Sequence, residues 1–310
     1  MQRYLAKRLG EGCITIWITT LVVFALLRMT GNPADFLAPP DMPWADRASL
    51  RQAYGLDEPM WKQFVLFHKS VITGEFGKSL RGTQGEALHV VMERVPATLQ
   101  LTAAALLFSI VLGIPAGVVS ASQPHSMVDR IGKVFAIAGQ SMPVFWVGLL
   151  LILLFTVYLG WLPSAGGIDR LGWQGVIMPA ISLGWLLSAS HMRIVRSSML
   201  DSLDTDYVKM ARVKGLPQRL VSWKHAFKNA AIPVFTLFAV NFAHLISGAV
   251  VTETIFAWPG IGRLLVDSIF ARDYAVVQTV VFLAALVIVV VNLLVDLTYA
   301  WIDPRIRVAR

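Results

Sequence analysis

One cysteine, Cys13, is all the thiol that these 310 residues contain, and it sits inside an apolar run. A single thiol excludes an intrachain disulfide and any cysteine-built metal site, and the residue reads as a small buried side chain. Charge is scarce as well. Only 15% of residues are charged, where soluble domains carry about a quarter, and 56% are hydrophobic. That balance excludes an ordinary soluble protein and leaves a polytopic membrane protein. Acidic residues are the scarcer sign, 19 against 27 Lys and Arg, for a formal charge of +8. The basic residues gather at the ends of hydrophobic runs and form no groove interleaved with aromatics. Membrane topology therefore explains them, and no nucleic acid partner is expected.

Catalytic constellations are also missing. The six histidines, His68, His89, His125, His191, His225 and His244, lack ligand spacing, and no metal is expected. His191 and His225 read as interfacial or helix-packing residues. No serine occupies a G-x-S-x-G elbow, because Gly139-Gln140-Ser141-Met142-Pro143 ends in proline, so a membrane-embedded hydrolase has no support. Gly77-Lys78-Ser79 imitates the end of a phosphate-binding loop, but the required upstream glycine position holds Ile72. The chain is read as a non-enzyme, and any ATP it uses must be bound by a partner.

What is present is a series of long apolar runs. Arg3, Lys7 and Arg8 precede a run from about Gly10 to Leu27, which could be a signal peptide or a first spanning helix. The helix is favoured, because the run is long for a signal core and Arg28, Asn32, Pro33 and Asp35 stand where a cleavage site would need small residues. Residues 31–97 are more polar and are expected to be an external segment with a helix near its middle. A second span is expected over 98–119, where Gly113-x-x-x-Gly117 suits close packing by another helix. A third covers 131–158 and carries Gln140, Ser141 and Pro143; the polar pair could face a solute route or bond a neighbouring helix. A turn-rich loop at 160–175 leads to a fourth run over 176–194. A fifth follows Pro233 and holds Asn241 and His244, which share one helical face with the same two readings. The last runs from about Ala275 to Trp301.

Between the fourth and fifth runs lies the longest basic, water-compatible stretch, Asp201 to Pro233. Asp204 or Thr205 can cap a first short helix that places Tyr207, Val208 and Ala211 on one face, and Gly215 supplies a left-handed stop. Leu216 and Pro217 start a second helix. Lys209, Arg212, Lys214, Arg219, Lys224 and Lys228 give the pair a positive surface. Such a hairpin fits a partner's groove or a bed of lipid headgroups equally well.

The residues here carry a resemblance. Ala211-Arg212-Val213-Lys214-Gly215, then His225-Ala226-Phe227-Lys228-Asn229-Ala230 and Pro233-Val234, resemble the cytoplasmic EAA loop of permease subunits in bacterial ABC importers of the dipeptide, oligopeptide and nickel type. Lys209 and Met210 stand where the general motif has Glu and Ala, and Pro233 lies further from the glycine than the general spacing. The stretch Leu50-Arg51, Tyr54-Gly55-Leu56-Asp57, Pro59 and Gly74-Glu75-Phe76-Gly77 is similar to the family's external segment. Glu253 to Leu264, with Phe256, Pro259, Gly260 and Gly262, is similar to its last external loop, and Asn292 to Asp296 with Asp303-Pro304-Arg305 to its ending.

The resemblance implies an all-α membrane protein with about six transmembrane helices, of the type I importer permease kind. It implies half of a translocation pathway, working with a second homologous permease subunit, two ATP-binding subunits that hold the ATP and Mg, and an external solute-binding protein. Tyr207, Val208, Ala211, Arg212, Lys214, Gly215, His225 and Asn229 would couple to the ATP-binding subunits, with the face of Tyr207, Val208 and Ala211 in their groove. Gln140, Ser141, Asn241 and His244 would line the pathway. The cargo would be a small peptide or peptide-like solute, with nickel, opines and oligosaccharides open.

The organisation expected is a tail and first helix over 1–30, an external segment over 31–97, a five-helix core over 98–301 with its coupling loop at 201–232, and a tail over 302–310. Lys and Arg concentrate at the ends that include both termini and the basic stretch, which places those ends in the cytoplasm of a bacterial inner membrane. A secondary transporter or channel would instead show inverted repeats and midplane charges; no convincing repeat is seen, and there are few candidate charges beyond Asp296 near a helix end. A non-transporting scaffold is the third class.

Overall fold

Long apolar helices dominate the described residues. A computed structural model describes residues 2–29, 52, 57–79, 85–246 and 249–302; the matches at 50–51 and 54–56 and the one beginning at Asp303 lie outside them. Among the described residues the only extended pairing is an isolated bridge between Lys78 and Glu86. Backbone groups in a bilayer have no water to bond, so helices that satisfy them internally are required. Among the described residues five helices are long and apolar enough to cross a membrane, or six if one bent pair counts as a span. The chain divides into two compact units, residues 1–96 with 260–310, and residues 97–259.

The first unit contains α1 (Gln2–Met29), α2 (Met60–Thr73), α3 (Ala87–Met92), α11 (Ile261–Phe270) and α12 (Tyr274–Ile302). Helices α1 and α12 lie against each other. Gly12 allows this, since a Cβ there would meet Val289 at 2.5 Å, and Arg8 Nε donates to Asp296 Oδ2 at 3.0 Å. Cys13 is exposed on α1, along with Ile14 and Trp17, so the expectation of a buried thiol is overturned. It belongs to the side of α1 that α12 leaves uncovered. Helix α2, expected within an external segment, touches α1 through Phe64 and His68. Phe64 sits edge-on to Trp17 and Phe24, and His68 Nε2 lies 3.1 Å from the hydroxyl of Thr20. Phe76, Ala87, Val91, Ile261, Val276 and Val280 form a second apolar cluster of this unit.

The second unit is built around α7 (Gln174–Leu203), which is buried along most of its length. Around it stand α4 (Val95–Ser122), α5 (Met127–Ser141), α6 (Val144–Leu151, continued by a π-helical stretch Ile152–Tyr158), α8 (Asp206–Val213), α9 (Gln218–Ile246) and α10 (Val250–Ile255). Small residues decide the spacing. A Cβ on Gly113 would meet the Ser188 carbonyl at 2.6 Å and one on Gly117 would meet Val195 at 2.6 Å, so the glycine pair is the packing surface for α7 that its spacing suggested. The run 131–158, expected as one span, is bent by 101° between α5 and α6. Pro143 caps α6 and forces Met142 into an extended conformation, ending α5 at Ser141.

Candidate functional site: the basic loop and a broken helix

Thr205 precedes α8, but its hydroxyl donates back to the Ser202 carbonyl at 2.5 Å and makes no cap bond to α8. Gly215 has φ +77°, as its stop role requires, with nothing within 4 Å of an added Cβ, so the penalty for another residue there is conformational alone. Pro217 then opens α9. This second helix was expected to end before Pro233. Instead it runs on, through a π-helical stretch Val221–Ala226 and past Pro233, as one continuous helix to Ile246. The apolar stretch beyond Lys228 supplies enough membrane-compatible length to carry it through the proline.

The inner face of the loop faces this chain's own helices. Val208, Ala211, Val221, Ala226 and Ala230 form one core with Val118, Ala121, Val195, Met199 and Leu203. Val208 is 0% exposed and Ala211 6%. The expectation that these two residues lie in a partner's groove is therefore overturned: helical periodicity marked a buried face correctly but could not say whose core buries it. Tyr207, half-exposed, marks the edge. Asn229 Nδ2 donates to its hydroxyl at 2.6 Å, the Ser202 hydroxyl lies 2.7 Å away, and Ser202 also donates to the Ala226 carbonyl. Partial burial pushes the Tyr207 phenol up, but bonds from Ser202, Thr205 and Asn229 outweigh it and leave the group below the ordinary tyrosine range.

The outer face is different. Met210 is 56% exposed and Val213 82%, and Leu220 and Trp223 are also open. Arg212, Lys214, Lys209, Arg219, Lys224 and Lys228 surround them, all exposed, and His225 is half-buried. An apolar patch with a cationic rim is thus presented by a loop whose back is fixed. Ser122 donates to Ser222 at 2.9 Å, tying the loop to the end of α4.

Nearby, Asp129 is completely buried and accepts from Arg196 Nε at 2.7 Å, Arg196 Nη2 at 3.1 Å, Ser120 at 2.6 Å and the His125 backbone N–H at 3.0 Å, with Lys133 Nζ at 2.9 Å. This saturated carboxylate locks α4, α5 and α7 together at one end. Sequence reading passed it over. The available signal was an acidic residue opening an apolar run in a chain with so few of them.

Of the proposed route residues, Gln140 and Ser141 stand at the break between α5 and α6. Gln140 Oε1 accepts from Arg193 Nη1 at 2.9 Å, and Ser141 is exposed. Asn241 is half-buried with no partner for its Nδ2, and His244 is exposed, both on α9. Among the described residues no hydrogen bond joins the two pairs. His191 is wholly buried and bonds the Leu187 carbonyl of its own helix, as a packing residue would.

Of the expected external-loop residues, Glu253 and Phe256 are core. Glu253 is fully buried and accepts from Thr98 at 3.1 Å, Phe256 lies against Gly148, and Trp258 Nε1 donates to the Ala97 carbonyl at 2.8 Å. Pro259 is half-buried against Gly167. Gly260 caps α11 and Gly262 is buried in its first turn. The described part of the stretch is two short helices, α10 and α11, joined through Ala257 in a left-handed conformation, φ +47°.

Comparison with known proteins agrees with this architecture. Residues 113–308 match the family model described as the inner membrane component of binding-protein-dependent transport systems. The chain is 38% identical over 308 residues to the glutathione transport system permease protein GsiC of Escherichia coli (strain K12), covering 99% of both chains. It is 39% identical over 338 residues to the di/tripeptide transport system permease protein DppB of Pseudomonas aeruginosa (strain UCBPP-PA14), again covering 99% of both. Among solved structures, an inward-facing MetNI methionine ABC transporter shares the fold with TM-score 0.55 at 17% identity, over 69% of this chain and 96% of the other. With full-length relatives well above 30% identity and a family match across most of the chain, this protein belongs to the inner membrane components of binding-protein-dependent transport systems, the permease subunits of ABC importers.

Proposed function

We propose that the chain is half of the pathway for a small peptide or peptide-like solute, and that it is driven by ATP-binding subunits docked on the outer face of α8 and the start of α9. Its relatives from Escherichia coli and Pseudomonas aeruginosa are permeases for glutathione and for di- and tripeptides, and this supports a peptide cargo. The observation that carries the docking face is Val213, an apolar residue 82% exposed at the tip of a loop whose opposite side is core. A water-facing valine gains nothing, whereas burying it in a partner gains roughly 1.5 to 3 kcal/mol. The partners in this reading are a second homologous permease subunit, two ATP-binding subunits that carry ATP and Mg, and an external solute-binding protein. Both termini and the loop lie in the cytoplasm. Arg212, Lys214, Gly215, His225 and Asn229 shape and steer the docked loop, and Asn241 and His244 face the solute.

The test is a pair of substitutions. Val213→Asp places an unpaired charge in the docked interface at a cost of about 3 to 5 kcal/mol, a hundredfold or more in affinity, so the ATP-binding subunits are lost on purification while the chain stays folded. Ala211→Glu puts the same kind of charge in this chain's own core and reduces the amount of folded chain instead. Co-purification of the ATP-binding subunits with the Val213→Asp protein at wild-type levels would sink the docking face.

A further inference from the structure

The break between α5 and α6 gathers hydrogen-bond donors, two of which have no acceptor among the described residues. Arg193 is exposed, donates one N–H to Gln140 Oε1 at 2.9 Å, and has no acidic partner among the described residues. Gln140 Nε2 is buried without a partner. So is the indole N–H of Trp185, which would stand 3.5 Å from a Cβ on Gly139, the residue before Gln140. Trp185, Ala189 and Arg193 follow one another at four-residue spacing on α7, and Ala189 packs against Gly139 on α5. Buried polar groups in folded proteins are nearly always bonded, so two orphan donors beside a guanidinium that has no carboxylate partner among the described residues call for an acceptor.

Gln140 holds Arg193 toward the break and away from the basic end of its helix. An arginine that only marks the basic end of a membrane helix turns its head group toward that end. Here the basic loop follows Leu203, at the C-terminal end of α7, yet Arg193 reaches the other way, to Gln140 beside the level of Ala189. It points along the span to the place where the α5–α6 helix is broken. Arg193 lies within a candidate span, where cationic side chains turn to a water-filled route or a partner, and discontinuous helices are where transporters build solute sites.

From these positions we infer that Arg193, Gln140 and Trp185 form a station for a solute carboxylate in the translocation route. The three side chains offer N–H groups and no free acceptor, because their one amide oxygen is already taken by Arg193. A carboxylate supplies acceptors only, and the planar guanidinium matches its two oxygens. Gln140 holds the guanidinium in place by its oxygen and turns its own NH2 to the same ligand. The assignment rests on the reading of the chain as half of a solute pathway, and it specifies the ionic group of the cargo that this half grips.

The experiment uses the full chain, purified with whatever subunits accompany it, in nanodiscs and labelled with 5-fluorotryptophan. The Trp185 19F signal is assigned by its loss in Trp185→Phe. Titration with alanyl-alanine shifts that signal, titration with the uncharged-end analogue alanyl-alaninamide does not, and Arg193→Gln abolishes the shift while Arg193→Lys retains part of it. No shift with alanyl-alanine in the wild-type chain overturns the station, as does an equal shift with the amide, with inorganic phosphate, or in the Arg193→Gln protein. The wild-type titrations decide the matter even if a variant assembles poorly. If Arg193 pairs instead with an acid of the second permease subunit, the Arg193→Gln complex falls apart and the wild type shows no shift. Co-purification of ATP-binding subunits is scored in the same samples, so a silent titration with those subunits present refutes the station and leaves the importer reading intact.

Discussion

Glycines that look alike in the sequence differ sharply in what surrounds them. Gly117 has Val195 and the Met192 carbonyl within 2.8 Å of where a Cβ would lie, while Gly10 on α1 has nothing within 4 Å. Gly117→Ala forces α4 away from α7 and costs about 1 to 3 kcal/mol through overpacking. Gly10→Ala stabilises its helix by up to about 1 kcal/mol, since only conformational entropy changes. Thermal unfolding of the two variants in mild detergent should therefore move in opposite directions, and a shift of the same sign in both would contradict the packing described. The spacing Gly113-x-x-x-Gly117 made the first effect readable without coordinates. Val208 and Ala211 show the opposite case, because an amphipathic stripe specifies a buried face and carries no label for its partner. Nothing in the sequence separates Arg193 from the other cations near the basic stretch, and only its bond to Gln140 does so.

Helices were legible where they were long and apolar, and less so where they bend or join. The spans near 98–119, 176–194 and 275–301 needed only lengthening, to α4, α7 and α12. The continuity of α9 through Pro233 was not legible, because a proline following a polar, basic segment normally marks a helix start, and neighbouring packing overrode that preference. The break at Pro143 lay hidden inside an apolar run for the converse reason: hydrophobicity reports membrane compatibility and is blind to direction. Pro143→Ala removes the restriction that holds Met142 extended and lets α5 and α6 straighten in part. Spin labels at Lys133→Cys and Val157→Cys should then sit further apart than in the parent, with slower solute uptake. An unchanged distance would mean that tertiary contacts, and not the proline, set the bend of 101°.

For the whole molecule, scarce charge and long apolar runs were sufficient to mark a polytopic membrane protein, since both are properties of the chain as a sum, while the permease reading needed the resemblance at residues 211–234. Orientation is where that sum makes its sharpest claim. In a Cys13→Ser background, a thiol at exposed Gln218 should react only from the cytoplasmic side and one at exposed Ser164 only from outside. Labelling of both from one face would overturn the placement of Lys and Arg as the orienting signal. The placement of α2 could not be read in this way. Its mixed composition suits an external helix, and only Phe64 and His68 against Trp17, Phe24 and Thr20 reveal that it lies along a span.

The unbroken course of α9 turns it into a seesaw. Pro233 sits near its middle, with about 22 Å of helix on the loop side and about 20 Å on the side of Asn241 and His244, at 1.5 Å per residue. Arms of nearly equal length neither amplify nor diminish a displacement. They reverse it. Were the helix to turn about Pro233 in the proposed transport cycle, an inward tilt at Gln218 would become an outward tilt of similar size around His244 without any hinge melting, and closing one end and opening the other would be a single rigid motion.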